Sequence, residues 1–190
     1  MTVKEFFASK TFRCILVLLC IALISGGLLA VCNDLLAVSD EERVQRTIQS
    51  IYGKSVGYTT VYDEVATPDV HYDYEVEGAV VGTINNIYKL DDGNFLVKAT
   101  GMQGYKQGTV SVWAVVYFKA GAFEGLGSVS IAAYTKQTLM SKWNKNVLDG
   151  YQGGESFEDT VSGATYSSKA INNALNTILH YVDTMAEVQS

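Results

Sequence analysis

Cysteine is missing from most of this chain. All three cysteines, Cys14, Cys20 and Cys32, lie near its start. The remainder therefore has no disulfide framework, no cysteine-ligated iron–sulfur cluster and no four-cysteine zinc site. Histidine is nearly absent too. His71 and His180 are the only two, and neither has a ligand partner at useful spacing, so no metal site is expected. Ser162 does not sit in a G-x-S-x-G motif and has no histidine paired with it, so it does not read as a hydrolase nucleophile, and no catalytic residue is expected. Positive charge is scarce: the net charge of −6 argues against a nucleic-acid partner. Proline occurs once, at Pro68. What is abundant is apolar: 48% hydrophobic against 18% charged residues, a balance that excludes disorder.

The longest charge-free run is Cys14 to Cys32, "CILVLLCIALISGGLLAVC". It is about as long as a helix must be to cross a bilayer core. Lys4, Lys10 and Arg13 precede it against a single Glu5, and the body after it is acidic. The positive flank predicts a cytoplasmic tip at residues 1–13, a single-pass transmembrane helix at 14–32, and a body on the extracytoplasmic side of the cell membrane. The alternatives are a cleaved signal peptide, or a lipoprotein processed at Cys32, for which Val31 is too large a neighbour.

The body opens on "SDEERVQRTIQSIYG", where Ser39 and Glu42 form a capping box and Val44, Ile48 and Ile51 follow at helical spacing. This predicts a juxtamembrane helix and linker over 33–56. "GYTTVYDEV" reads as a strand, and "ATPDVHYDYE" as a polar loop. "EGAVVGTINNIYKL" and "NFLVKATG" flank a "DDG" turn. "GTVSVWAVVYF" alternates, with Val110, Val112, Ala114, Val116 and Phe118 on one face, and "AFEGLGSVSIAAY" follows a second turn at "KAG". "TKQTLMSKWNKNVL" places Leu139, Trp143 and Val147 along one helix face. Near the C-terminus Ile171, Ala174, Leu175, Ile178, Leu179, Val182 and Met185 form a continuous apolar stripe. Strands followed by helices predict an α+β fold: an N-terminal transmembrane helix, then an antiparallel sheet packed with helices.

Just ahead of the last helix stands "DTVSGATYSS", Asp159 to Ser168. Ser167 and Ser168 read as helix caps. A helix start with Gly163 and Ala164 before it lets an anion approach the backbone closely. Thr165 adds a hydroxyl that can bind a phosphate or be joined to one. The residues alone leave two readings open, a phosphate site and a plain Ser-Gly turn with caps.

Asp159-Thr160-Val161-Ser162-Gly163-Ala164-Thr165 resembles the D-x-x-[ST]-G-A-T flavinylation signature of FMN-binding domains with covalently attached flavin. These domains occur in the G subunit of Rnf-type ion-translocating ferredoxin:NAD oxidoreductases and in the C subunit of sodium-pumping NADH:quinone reductases. "KATGMQGYKQGTVSVWAVV" is similar to the family's "ATG…GY.G" segment, at Ala99, Thr100, Gly101, Gly104, Tyr105 and Gly108. The resemblance implies an extracytoplasmic FMN-binding domain over 57–190. It implies FMN phosphoester-linked to Thr165 by a flavin transferase, with Asp159, Ser162, Gly163 and Ala164 as recognition positions. Thr135 takes the Thr position of the family's "ETPGLG"-like loop, whose other residues this chain lacks. Tyr105, Leu139, Met140, Trp113 and Trp143 are hydrophobes that can pack on the flavin or in the core. The implied role is an electron-carrying subunit of a membrane-bound, ion-translocating oxidoreductase, with other membrane subunits as partners. The alternatives are a stand-alone tethered flavoprotein for extracellular electron transfer and a non-catalytic anchored binding or assembly domain.

Overall fold

The computed structural model describes residues 10–36, 39–137 and 165–189. The helix expected over 135–148 falls mostly outside them, as do Asp159, Ser162, Gly163, Ala164, Leu139, Met140 and Trp143. The chain divides into two units, Met1–Arg43 and Val44–Ser190.

In the first unit, helix α1 spans Lys10–Leu36. Its apolar side chains from Ile15 to Leu29 are exposed on every side, with Leu18, Leu23, Ile24 and Leu29 each about two-thirds accessible. Among the described residues no helix is long and apolar enough to cross a membrane. Helix α2, Asp40–Tyr52, starts in this unit and continues into the second. Ser39 Oγ accepts from the Glu42 backbone N–H at 3.2 Å, one half of the predicted capping box.

The second unit is an α+β domain, as the order of strands and helices predicts. Its strands are β1 (Tyr58–Asp63), β2 (Tyr72–Val76), β3 (Ala79–Leu90), β4 (Phe95–Gly101), β5 (Val110–Lys119) and β6 (Ala122–Tyr134). They form one antiparallel sheet in the order β1-β3-β4-β5-β6, with β2 also on β3. β1 and β2 lie end to end along one edge of β3, β1 pairing Asn86–Leu90 and β2 pairing Ala79–Ile84. The register shifts between Ile84 and Asn86. This bulge lets Ile84 and Ile87, three residues apart, enter the same core despite the two-residue period of a strand. β2 corrects the polar-loop reading of 66–75. Its pairing and its tyrosines make the strand: Tyr72 packs edge-on against Tyr62 at 4.7 Å and Tyr181 at 5.2 Å.

Each face of the sheet has a helical cover. Helix α3, Thr165–His180, continues after Tyr181 into α4, Val182–Gln189. Its Ile171, Ala174, Leu175 and Ile178, with Val182 and Met185 of α4, bury against Val97, Ala99, Val110, Val112, Ala114 and Val116. On the other face α2 brings Ile48, fully buried, to Tyr88, Leu90, Leu96 and Val115. Gly82 of β3 and Gly101 of β4 are register partners under α3. A Cβ on Gly101 would collide with the Ala170 carbonyl and the Ala174 backbone nitrogen, and one on Gly82 with the Thr177 hydroxyl. This glycine pair and the alanines of α3 let the helix backbone lie almost on the sheet. Thr177 is fully buried there, its hydroxyl donating to the Asn173 carbonyl at 2.6 Å.

Candidate functional site

β4 ends at Gly101, and the chain crosses to β5 through Met102–Thr109, with a short 3₁₀ turn at Tyr105–Gln107. This loop closes on itself. Gly104 N–H donates to the Gly108 carbonyl at 2.9 Å, Gly108 N–H to the Tyr105 carbonyl at 2.9 Å, and Gln107 N–H to the Gly104 carbonyl at 3.1 Å. Its curvature is tight enough to drive Gln103, Lys106 and Gln107 into the left-handed region, at φ of 63°, 52° and 59°. For side chains with a Cβ this conformation is costly and persists only where the surroundings impose it.

The surroundings are the end of β6 and the start of α3. Thr135 N–H donates to the Thr109 carbonyl at 2.9 Å, and Thr109 N–H donates to Thr135 Oγ1 at 3.0 Å. Thr135 thus ties the loop base to the chain leaving β6. Two residues on, Gln137 joins three segments. Its Oε1 accepts from Tyr105 N–H at 3.2 Å and from Ser167 Oγ at 2.8 Å, while its Nε2 donates to the Thr135 carbonyl at 2.8 Å. Both Gln137 and Ser167 are buried. A Cβ on Gly104 or Gly108 would run into the Gln137 amide, so both positions must stay bare for the loop to pack. Ser167 and Ser168, expected as caps, lie inside α3 and are buried. The Ser167 hydroxyl serves this junction instead of the helix end. Asn173 Nδ2 adds a second pin from α3, donating to the Met102 carbonyl at 3.0 Å.

Loop and helix start enclose a cleft of about 510 Å³ lined by Gln103, Gly104, Tyr105, Lys106, Gln107, Tyr166 and Lys169. This lies within the size range of small-molecule sites. Among the described residues two cations and no acid line it, although the chain as a whole is acidic. Neither lysine has an ion-pair partner among the described residues; the Lys106 ammonium lies 5.3 Å from the centre of the Tyr105 ring. Tyr105 and Tyr166 supply aromatic surface, their ring centres 6.4 Å apart and tilted by 60°. Thr165, the first described residue of α3, is exposed, and Lys169 follows one turn later on the same helix face. A cationic, aromatic-walled cleft beside an exposed hydroxyl suits a ligand combining a flat ring system with an anionic group.

Of the sequence-predicted residues, the structure places Tyr105 in the cleft and Thr165 at the start of the helix that forms one wall. Thr135 lies behind the loop, fixing its base. Trp113 lies elsewhere, with the second cluster under α2, stacked on Tyr88 at 6.1 Å and capped by the Lys98 ammonium at 5.7 Å. Lys106, Tyr166, Lys169 and Gln137 are not singled out by the sequence, and Ser167 only as a helix cap. Only Lys169 carried a usable signal there, its spacing of one helical turn from Thr165.

Comparison with the curated proteins and with the solved structures yields no match. Residues 98–180, from the middle of β4 to the end of α3, match the family described as FMN-binding domain. The matched stretch holds every residue that lines the cleft, and it supports a flavin-binding, electron-transfer role for this domain.

Proposed function

We propose that the domain carries FMN as a phosphoester of the Thr165 hydroxyl and passes electrons through it on the extracytoplasmic side of a cell membrane. The carrying observation is the cleft itself. Among the described residues it is bounded by two lysines, two tyrosines and no acid, directly beside an exposed threonine, within the stretch that matches the FMN-binding domain.

In the attachment step Thr165 Oγ1 bonds to the flavin-side phosphorus of FAD. The pyrophosphate P–O bond breaks, AMP departs with the bridging oxygen, and the threonine proton ends on that leaving phosphate. A separate flavin transferase performs this transfer, with Asp159, Ser162, Gly163 and Ala164 as the positions it recognises.

Once attached, the cofactor supplies reversible electron uptake. The chain does the holding. Thr165 fixes one end covalently, so the cofactor's effective concentration at its redox partner stays high outside the cell, where a free one would diffuse away. Lys169, one turn along α3, neutralises the phosphoester as a point charge. Tyr105 and Tyr166 give the ring apolar surface, and Gln137 keeps the Tyr105 wall registered to the helix. Near the start of the chain Cys14 to Cys32 crosses the membrane, a reading supported by its uncharged run and its basic flank. The domain then serves as the electron-carrying subunit of a membrane-bound, ion-translocating oxidoreductase.

The test is flavin fluorescence in the band after denaturing electrophoresis, using full-length chain made alongside an active flavin transferase. Fluorescence is expected in the parent and absent in Thr165→Ala; a Thr165→Ala band that still fluoresces removes Thr165 from the account. Co-purification with multi-span membrane subunits supports the complex, whereas a fully flavinylated chain that purifies alone points to a free-standing carrier.

A further inference from the structure

Lys106 has no role in attachment, and its placement is unusual. It is one of three side-chain-bearing residues of the loop held at positive φ, on a backbone closed by its own hydrogen bonds and pinned through Tyr105 N–H to the buried Gln137. A lysine that only needed solvent would not require a left-handed backbone. The conformation fixes the root of the side chain at the cleft wall formed by the loop, across from α3. Lys169 is the cation on the α3 side, beside Thr165. With the phosphate end taken by Thr165 and Lys169, the cation left for the rest of the ligand among the described residues of the cleft is Lys106.

We infer that Lys106 sets the reduction potential of the bound flavin, acting as the positive charge that stabilises its reduced, anionic ring. The inference rests on the proposed FMN site. When a reductant such as dithionite delivers two electrons and the ring takes up one proton, one negative charge remains on it. A cation held nearby favours that state over the neutral oxidised one and raises the potential. The cleft is open to solvent, so the effect is screened by salt. No acid lines the cleft among the described residues to cancel it. Lys106 is therefore a tuning residue: it alters the equilibrium of electrons on the cofactor without holding the cofactor in place.

The experiment is a spectroelectrochemical titration of full-length, flavinylated chain, with intact mass recorded on each sample. Lys106→Gln keeps a polar, unbranched side chain one bond shorter and removes the charge. It is expected to keep the FMN mass increment while shifting the oxidised-to-reduced equilibrium about tenfold toward the oxidised form, a fall of about 30 mV for a two-electron couple. Lys106→Arg should restore the parent value. Lys98→Gln, which removes a cation seated on Trp113 instead, should leave it unmoved. The difference between parent and Lys106→Gln should shrink as ionic strength rises. A Lys106→Gln chain that keeps its flavin and titrates with the parent, or shifts no more than Lys98→Gln, overturns the inference and leaves the FMN site standing. A parent chain without the mass increment overturns the site, and the inference with it.

Discussion

The two helices that cover the sheet do so by different means, and only one cover makes a site. α3 approaches over the glycine pair Gly82 and Gly101, so its backbone touches the strands and its aliphatic stripe fills the larger core. α2 stands off on a cushion of rings: around the fully buried Ile48 lie Tyr52, Tyr58, Tyr88, Trp113 and Tyr117. It is secured at its end by a polar latch. The Tyr52 hydroxyl donates to the Asp92 carboxylate and accepts from Asn94 Nδ2, while Asn94 Oδ1 accepts from the Phe118 backbone N–H at 3.0 Å. Close backbone contact sets the start of α3 to the precision a junction like Gln137 needs. Ring packing with a latch gives cohesion instead of a junction. The difference teaches that the binding geometry is inherited from the packing mode, through small residues far from any ligand.

The sharpest way to break that contrast is to put bulk under α3. Gly101→Val should destabilise the domain by about 3 kcal/mol or more, because the added carbons meet helix backbone that has no rotamer to change. The denaturant midpoint should fall, and flavin content with it. Ile48→Ala is the matching insult to the other cover. It should cost about 2 kcal/mol, at the low end for a buried isoleucine since the neighbouring rings can settle inward, and flavin content at saturating transferase should be unchanged. Equal loss of flavin in both variants would mean that the covers are not distinct.

Gln137→Leu probes the junction with less bulk change. It strands the Tyr105 N–H and the Ser167 hydroxyl in a buried place, at about 1–3 kcal/mol. Hydrogen exchange at the Tyr105 amide should rise well before the amides of β5 respond. Uniform acceleration across the domain would contradict a local junction.

The smallest effect concerns the latch. Burial, then the hydrogen bond to Asp92, pushes the Tyr52 phenol up to about 12 from its ordinary 10.0. A group whose folded pKa exceeds its unfolded one contributes stability that is complete below the unfolded value and lost as pH rises through the folded one. The parent should therefore lose stability between about pH 10 and pH 12. Tyr62 and Tyr181 are shifted the same way, chiefly by burial. Tyr52→Phe should flatten only part of this slope, measured as melting temperature against pH.

Much of this architecture is legible in the residues themselves. The alternation in β5 declares Val110, Val112, Ala114 and Val116 as one face, and all four are fully buried. The stripe from Ile171 to Met185 follows helical spacing and seats on that same face. "KAG" forms a two-residue turn with Ala120 and Gly121 both at positive φ. What could not be read depends on partners distant in the chain. β2 looks polar because its rings find cover only across the fold, Tyr72 against Tyr62 and Tyr181 and Tyr74 against His180. Ser167 looks like a cap because its acceptor, Gln137, lies thirty residues upstream. Thr177 looks solvent-facing until Gly82 opens space for it. The motif around Thr165 resembles a flavin-attachment signature, but the cleft depends on two lysines in segments separated by most of the matched stretch. No spacing rule links them.

The claim at the centre is that a nucleotide phosphate is esterified to Thr165. Its most direct measurement is the intact mass of full-length chain produced with an active flavin transferase, followed by mapping of the peptide that carries any added mass. The account predicts a gain of one FMN less one water, confined to the peptide containing Thr165. An unmodified mass under those conditions, or the same gain mapped to another residue, would contradict it.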